Sequence, residues 1–286
     1  MDQNTLRAAS RWLTFLVLVL LSAAPAAGLL WDGLYQDIPF VRAAWLGNDL
    51  VTLLFAVPLL GIALIRSMSG FPRANLIRLG VLDYALYTYA FYLYAAAFNA
   101  FFLVYSLLMT LSLLGLIFGL IEIQPEQVKS LFRERTPVRW IGGYQIFVAL
   151  GLSAVYLLQA AAFILRGQIP EIILKTNHVT HIVPALDLTF VVPWLLLGGI
   201  WIWQRKPWGY VISAVMVVKG VLYMLALTAA SFSGVQAGFP ESAAEIPLWG
   251  TLWLGFVITG IVMLVNSQQG QPHDQQVVDI PADPAQ

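Results

Sequence analysis

A chain of 286 residues that is 59% hydrophobic and only 10% charged lacks the charged surface of a water-soluble fold, in which roughly a quarter of residues carry charge. Its formal net charge is zero and its basic residues are spread through short loops, which excludes the electrostatic footprint of a nucleic-acid-binding protein. With no cysteine there is no disulfide, thiol nucleophile, iron–sulfur cluster or cysteine-based zinc site. The partner that composition implies is the lipid bilayer.

A bilayer core about 30 Å thick takes about 20 apolar helical residues per crossing. The apolar runs here are continuous, unlike the alternating segments of a β-barrel. In chain order they cover residues 12–30, 50–65, 79–98, 101–121, 140–165, 186–203, 209–230 and 248–265, which predicts an all-α integral membrane protein of eight transmembrane helices. Two points in that series have a second reading. Arg7 and Arg11, the apolar run after them and Ser22-Ala-Ala-Pro-Ala-Ala also fit a signal peptide; the charge and repeat patterns below favour a retained helix. The break near Asn99 is tight, and a fused helix there would leave seven spans.

With eight spans, Arg7, Arg11, Arg66, Arg73, Arg78, Lys129, Arg133, Arg135, Arg139, Arg205 and Lys206 share the side of the termini, and only Arg42, Arg166 and Lys175 fall opposite. The positive-inside rule then makes both termini cytoplasmic, which suits a bacterial cytoplasmic membrane. The two halves read as copies. Arg11-Trp12 opens the first span and Arg139-Trp140 the fifth; Asp49-Leu50 opens the second and Asp187-Leu188 the sixth, and those two helices carry Val57-Pro58 and Val192-Pro193. Pairing Arg78-Leu-Gly80 with Pro207-Trp-Gly209 matches Tyr94 with Tyr223 and sets Ala90 opposite Lys219. The expected organisation is a first four-helix repeat at 1–123, an amphipathic linker at 124–138 lying on the inner leaflet, a second parallel repeat at 139–266, and a polar, disordered tail at 267–286.

Lys219 is the most anomalous residue, because no other formal charge stands between Trp208 and Pro240. An ionisable group at membrane depth costs several kcal/mol without a partner and marks a functional site by default. At about 1.5 Å per residue it lies about 15 Å from the cytoplasmic boundary, above Asp83 at about 8 Å and below Asp49 and Asp187 at about 25 Å. Asp83, Tyr87, Ala90 and Tyr94 form one stripe of their helix. These residues predict a polar ladder of Asp187, Lys219, Tyr87 and Asp83 with Tyr94 and Tyr223 as hydroxyl partners, and Asp49 as the first-half counterpart of Asp187. The ladder would bind or carry a small solute or proton between the repeats. Two plainer readings stand beside it: Lys219 as a static lock in a membrane scaffold or sensor, and Asp49 and Asp187 as helix N-caps.

The loop Lys175-Thr-Asn-His178-Val-Thr-His181 followed by Asp187 holds three candidate zinc ligands. It gives the alternative of an outer-face metal-dependent membrane enzyme. No nucleophile elbow, phosphate loop or dinucleotide fingerprint is present, so the sequence leans away from an enzyme.

The segments Gly47-Asn-Asp-Leu-Val-Thr, Tyr89-Ala-Phe-Tyr-Leu-Tyr-Ala-Ala-Ala-Phe-Asn99, and Arg205-Lys-Pro-Trp-Gly-Tyr-Val with Val218-Lys-Gly resemble a group of bacterial polytopic membrane proteins. That group has no assigned activity, so the resemblance implies the membrane fold alone.

Overall fold

A computed structural model describes residues 3–268. Among them the regular structure is helical apart from one isolated bridge, Phe132 to Ser267, and seven helical segments are long and apolar enough to cross a membrane. Of the expected tail at 267–286, residues from 269 on lie outside the described residues. Ser267 and Gln268 are tied to the protein: the Gln268 amide donates to the Leu131 carbonyl of the linker at 2.7 Å, and Arg73 bonds the Ser267 carbonyl.

The first helix, α1 (Gln3–Leu30), is followed by a loop and then by an interrupted rod: α2 (Pro39–Val51), a π-helical stretch (Thr52–Ala56) and α3 (Val57–Met68). Pro39 and Pro58 sit in the first turns of α2 and α3, where a missing N–H costs nothing. Next come α4 (Pro72–Ala95) and α5 (Phe102–Glu122), separated by a turn in which Asn99 accepts from the Phe101 amide at 2.9 Å. The break near Asn99 therefore divides two helices. α4 has span length at 24 residues, but Arg73, Arg78, Asp83 and five tyrosines keep it out of the apolar set. Every residue from 78 to 90 on it is buried. A helix enclosed on all sides needs no lipid-facing stripe, and that frees its surface for polar groups.

The linker contains α6 (Pro125–Leu131). Val128 and Leu131 are buried, and the Phe132 ring meets Tyr210 at 5.0 Å. The amphipathic face expected on the lipid surface is thus turned against the protein. After it follow α7 (Val138–Arg166), a short α8 (Glu171–Thr176), a second interrupted rod of α9 (Ile182–Phe190) and α10 (Val192–Trp203), then α11 (Pro207–Gln236) and α12 (Ile246–Asn266). The most apolar stretch of α11 is 67% buried and that of α7 only 11%, so α11 is a central helix and α7 a peripheral one.

α4 and α11 pack on each other at the centre, α11 also on α2, and α4 on α9. A Cβ at Gly47 would strike the backbone of Ala229 and Ala230, and one at Gly80 would strike Val218, so α2 and α4 both approach α11 closely. Small residues permit that approach where lipid provides no hydrophobic drive between helices. Arg78, expected as a loop charge, is 1% exposed. It donates to Ser10 Oγ at 2.7 Å and Thr14 Oγ1 at 2.9 Å, and pairs with Glu122 at 3.3 Å.

Candidate functional site: a tyrosine-held carboxylate above a buried lysine

The interruption at Val191 ends α9 near the middle of the protein and brings its carboxylate and its last carbonyl among α4, α7 and α11. Asp187 is 1% exposed. Tyr156 on α7 donates to its Oδ2 at 2.5 Å, and Tyr87 on α4 donates to Oδ1 at 2.7 Å. Tyr223 on α11 lies 3.5 Å from Oδ1 and 2.8 Å from the Tyr87 hydroxyl. A carboxylate offers about four lone-pair positions. Three phenols satisfy most of them and leave room for one further donor.

Lys219 is also 1% exposed. Its Nζ lies 3.4 Å from both oxygens of Asp83 and donates to the Phe190 carbonyl, the last of α9, at 3.0 Å. It also stands 4.9 Å over the Tyr87 ring, a favourable cation–π placement. Tyr87 therefore touches both charges, its ring facing the ammonium and its hydroxyl facing Asp187. The expected ladder is present with altered rungs. Lys219 reaches Asp83 and a backbone carbonyl, and its link to Asp187 passes through Tyr87.

Two expected members fall elsewhere. Tyr94 is 59% exposed, because the stripe that carries Asp83 and Tyr87 runs out to the last turn of α4, where that turn leaves the bundle. Asp49, 2% exposed, belongs to a separate cluster: it accepts from Tyr35 at 2.5 Å and from Tyr92 at 2.8 Å. Gly28 abuts that carboxylate so closely that a Cβ there would collide with Asp49 Oδ2 and the Tyr35 hydroxyl. Burial pushes the Tyr35 phenol, in the loop before α2, well above its ordinary range and keeps it a donor. The N-cap reading of Asp49 and Asp187 is corrected for the same reason in each case. α2 begins at Pro39 and α9 at Ile182, so both carboxylates lie inside their helices, and their hydrogen-bond donors are phenols.

Above Asp187 opens a cavity of about 450 Å³ whose lining includes Tyr87, Tyr156, Tyr223, Gln159, His178 and Glu245. Apolar side chains from α2, α7, α11 and α12 form most of the wall, and α8 with the loop after it covers one side. Lys175 holds α8 down, pairing with Glu241 at 3.1 Å and lying 4.9 Å over the Phe40 ring. The volume is that of a small-molecule site, and an apolar wall with a few convergent polar groups is the usual pattern.

His178, His181 and Asp187 all border this cavity but do not assemble as the expected zinc set. His181 Nε2 bonds Gln159 at 3.1 Å, and both Asp187 oxygens are engaged by phenols. Among the described residues no group of three or more His, Asp or Glu side chains is gathered to hold a metal. His178 Nε2 is shielded from solvent and has no hydrogen-bond partner. Burial lowers the proton affinity of both imidazoles, with Asp37 pulling that of His178 back up, so both favour the neutral form.

Tyr156, Tyr92, Tyr35 and the Phe190 carbonyl complete these clusters, and none stood out as a sequence feature. Tyr156 does carry a signal. Counted from Arg139 as Gly28 is counted from Arg11, it occupies the position that Gly28 holds in the first half.

Comparison of the chain with known protein families, with curated proteins and with solved structures finds no match.

Proposed function

We propose that this chain is an eight-helix membrane protein made of two parallel four-helix halves, with cytoplasmic termini, that binds a small solute in the cavity between the halves and passes it or a proton toward the inner side. In this reading α4 is the eighth crossing, tolerated despite its polar residues because the other helices enclose it. The duplication is supported by the two interrupted rods, α2–α3 and α9–α10, each with a buried aspartate held by tyrosines. It is also supported by the reciprocal packing of α11 on α2 and α4 on α9. The first-half counterpart of Tyr223 is then Tyr92 and not Tyr94, since Tyr92 and Tyr223 are the tyrosines of these two helices that contact the aspartate of their own half. Orientation rests on the loop charges, which remain strongly asymmetric with Arg78 set aside.

The observation that carries the functional reading is the placement of Asp187. It is buried, yet it stands at the floor of a 450 Å³ cavity, with the Lys219–Asp83 pair directly behind it across Tyr87. A static lock between helices has no use for an adjoining cavity of this size. Ion pairs beside a cavity at membrane depth line solute and proton pathways.

The absence of cysteine makes the test direct. Ala226→Cys on the cavity wall and Phe118→Cys on α5, away from the cavity, are reconstituted singly in liposomes. Each is treated from outside with a charged, membrane-impermeant thiol reagent. Modification at 226 with protection at 118 is the expected result. A 226 that stays inert in folded protein both to this reagent and to a membrane-permeant maleimide means a dry, closed space and ends the proposal.

A further inference from the structure

The cavity is walled by the two halves unequally, and the difference lies in one pair of helices. In the first half α1 and α5 stay together over their length: Gly119 faces Ser10 and Gly115 faces Leu13 toward one end, and Trp31 packs on Phe101 at the other. Their positional counterparts in the second half, α7 and α12, meet around Tyr144. Its hydroxyl donates to the Leu252 carbonyl at 2.5 Å, and its ring lies against Gly255 and 5.1 Å from Phe256. Beyond that contact, toward α8, residues of both helices border the cavity. Val155 on α7 and Leu248 on α12 both line the cavity, and both are more than half exposed, at 51% and 55%. Wall side chains this accessible, where Met224 and Ala226 on the same wall are 1% and 3% exposed, mark the open side of the cavity, its mouth. This mouth lies between two apolar helices of membrane-crossing length, so it faces lipid tails.

The lining also has a sign. Asp187 and Glu245 contribute carboxylates, and among the described residues no lysine or arginine borders the cavity. Lys219, below the floor, is already engaged by Asp83 and Phe190. The open position on Asp187 is an acceptor for a hydrogen-bond donor, and the unpartnered Nε2 of His178 accepts from one in the tautomer that carries its proton on Nδ1. An anionic headgroup would meet two carboxylates and no cation, whereas an ammonium would find charge-assisted partners.

We propose that the cavity takes a membrane-dissolved amphiphile with an amine headgroup, which enters sideways between α7 and α12, lays its chain among Leu152, Val155, Leu227 and Leu248, and sets its ammonium on Asp187. This rests on the reading of the cavity as a ligand site and adds the class of ligand and its route.

The test uses the full chain in phosphatidylcholine nanodiscs with four probes: dodecylamine, dodecanol, dodecyl phosphate and the water-soluble n-butylamine. Dodecylamine is expected to bind saturably and about tenfold or more tighter than dodecanol, a difference readable by displacement of a fluorescent dodecylamine analogue. Dodecyl phosphate is expected not to compete. Asp187→Asn is expected to abolish the preference for amine over alcohol, and Tyr156→Phe, which keeps the carboxylate, to weaken it. For the route, Val155→Cys with Leu248→Cys is bridged by a reducible bifunctional thiol reagent. Bridging is expected to block dodecylamine binding and reduction to restore it. Equal binding of all three long-chain probes, a preference for the phosphate, or indifference to the bridge overturns the inference. If n-butylamine binds through Asp187 and dodecylamine does not, the amphiphile and its lateral route fail while the ligand site stands. If no probe binds and Ala226→Cys is inert, the ligand site fails as well.

Discussion

An ammonium and a carboxylate buried side by side hold each other in place, and removing either strands the other. Lys219 and Asp83 are 1% and 8% exposed. Lys219→Met and Asp83→Asn are each expected to lower unfolding stability by about 3–5 kcal/mol, the cost of an unpaired buried charge. The double variant is expected to lose clearly less than the sum of the two, because it strands neither charge. Unfolding in mild detergent, run as a double-mutant cycle, reads this coupling; strictly additive losses would contradict the pairing. At this scale the sequence is legible wherever a residue is anomalous in its surroundings. Lys219, Asp83 and Asp187 are visible as charges in apolar runs, and Tyr87 follows from helical periodicity. Tyr156 is hidden because a tyrosine on a peripheral, lipid-exposed helix is normally an interface anchor. The Phe190 carbonyl is hidden because backbone acceptors have no sequence signature until the interruption of the rod is seen in three dimensions.

Glycine separates the helices that touch from those that stand apart. At Gly47 in α2 an added methyl would meet the α11 backbone at Ala229 and Ala230, which no rotamer change relieves. Gly47→Ala is expected to cost about 1–3 kcal/mol or more through overpacking. Gly151 in α7 has open space where a Cβ would go, and Gly151→Ala is expected to be neutral or to stabilise by up to about 1 kcal/mol as a better helix former. Thermal unfolding of the two variants side by side checks the contrast, and equal effects would contradict the packing of α2 on α11. Helices occur where the apolar runs predicted them, but several begin earlier in the chain, with a proline in their first turn. Pro39 and Pro184 lie in the first turns of α2 and α9, upstream of the predicted starts at 50 and 186. Those shifts bury Asp49 and Asp187 and overturn their reading as caps. The apolar residues of the linker, Val128 and Leu131, are buried and Phe132 meets Tyr210 of α11, since a neighbouring helix offers shape complementarity that a lipid surface does not.

The topology of the whole chain turns on whether α4 crosses the bilayer. Single cysteines at Ser69, Ala97 and Gly167, in the turns after α3, α4 and α7, discriminate the arrangements when labelled from outside in intact cells. Eight crossings with cytoplasmic termini predict labelling at 97 and 167 and protection at 69. The same result at 69 and 97, both labelled or both protected, would mean that α4 does not cross, since α4 is the helix between them. Among the described residues seven helices are apolar enough to cross, a measure that scores each helix as though lipid surrounded it. α4 fails that score for the reason that makes it central, its enclosure by protein.

The contact between Lys219 and Phe190 has an evolutionary side. The acceptor is a main-chain oxygen, so no substitution at position 190 that keeps the helix can delete it. Residue 190 is free to drift, whereas 83 and 219 must change together or not at all. The most conspicuous charge in the chain is thus anchored partly by an atom common to every amino acid, and part of this site would leave no trace in the substitutions that separate its descendants.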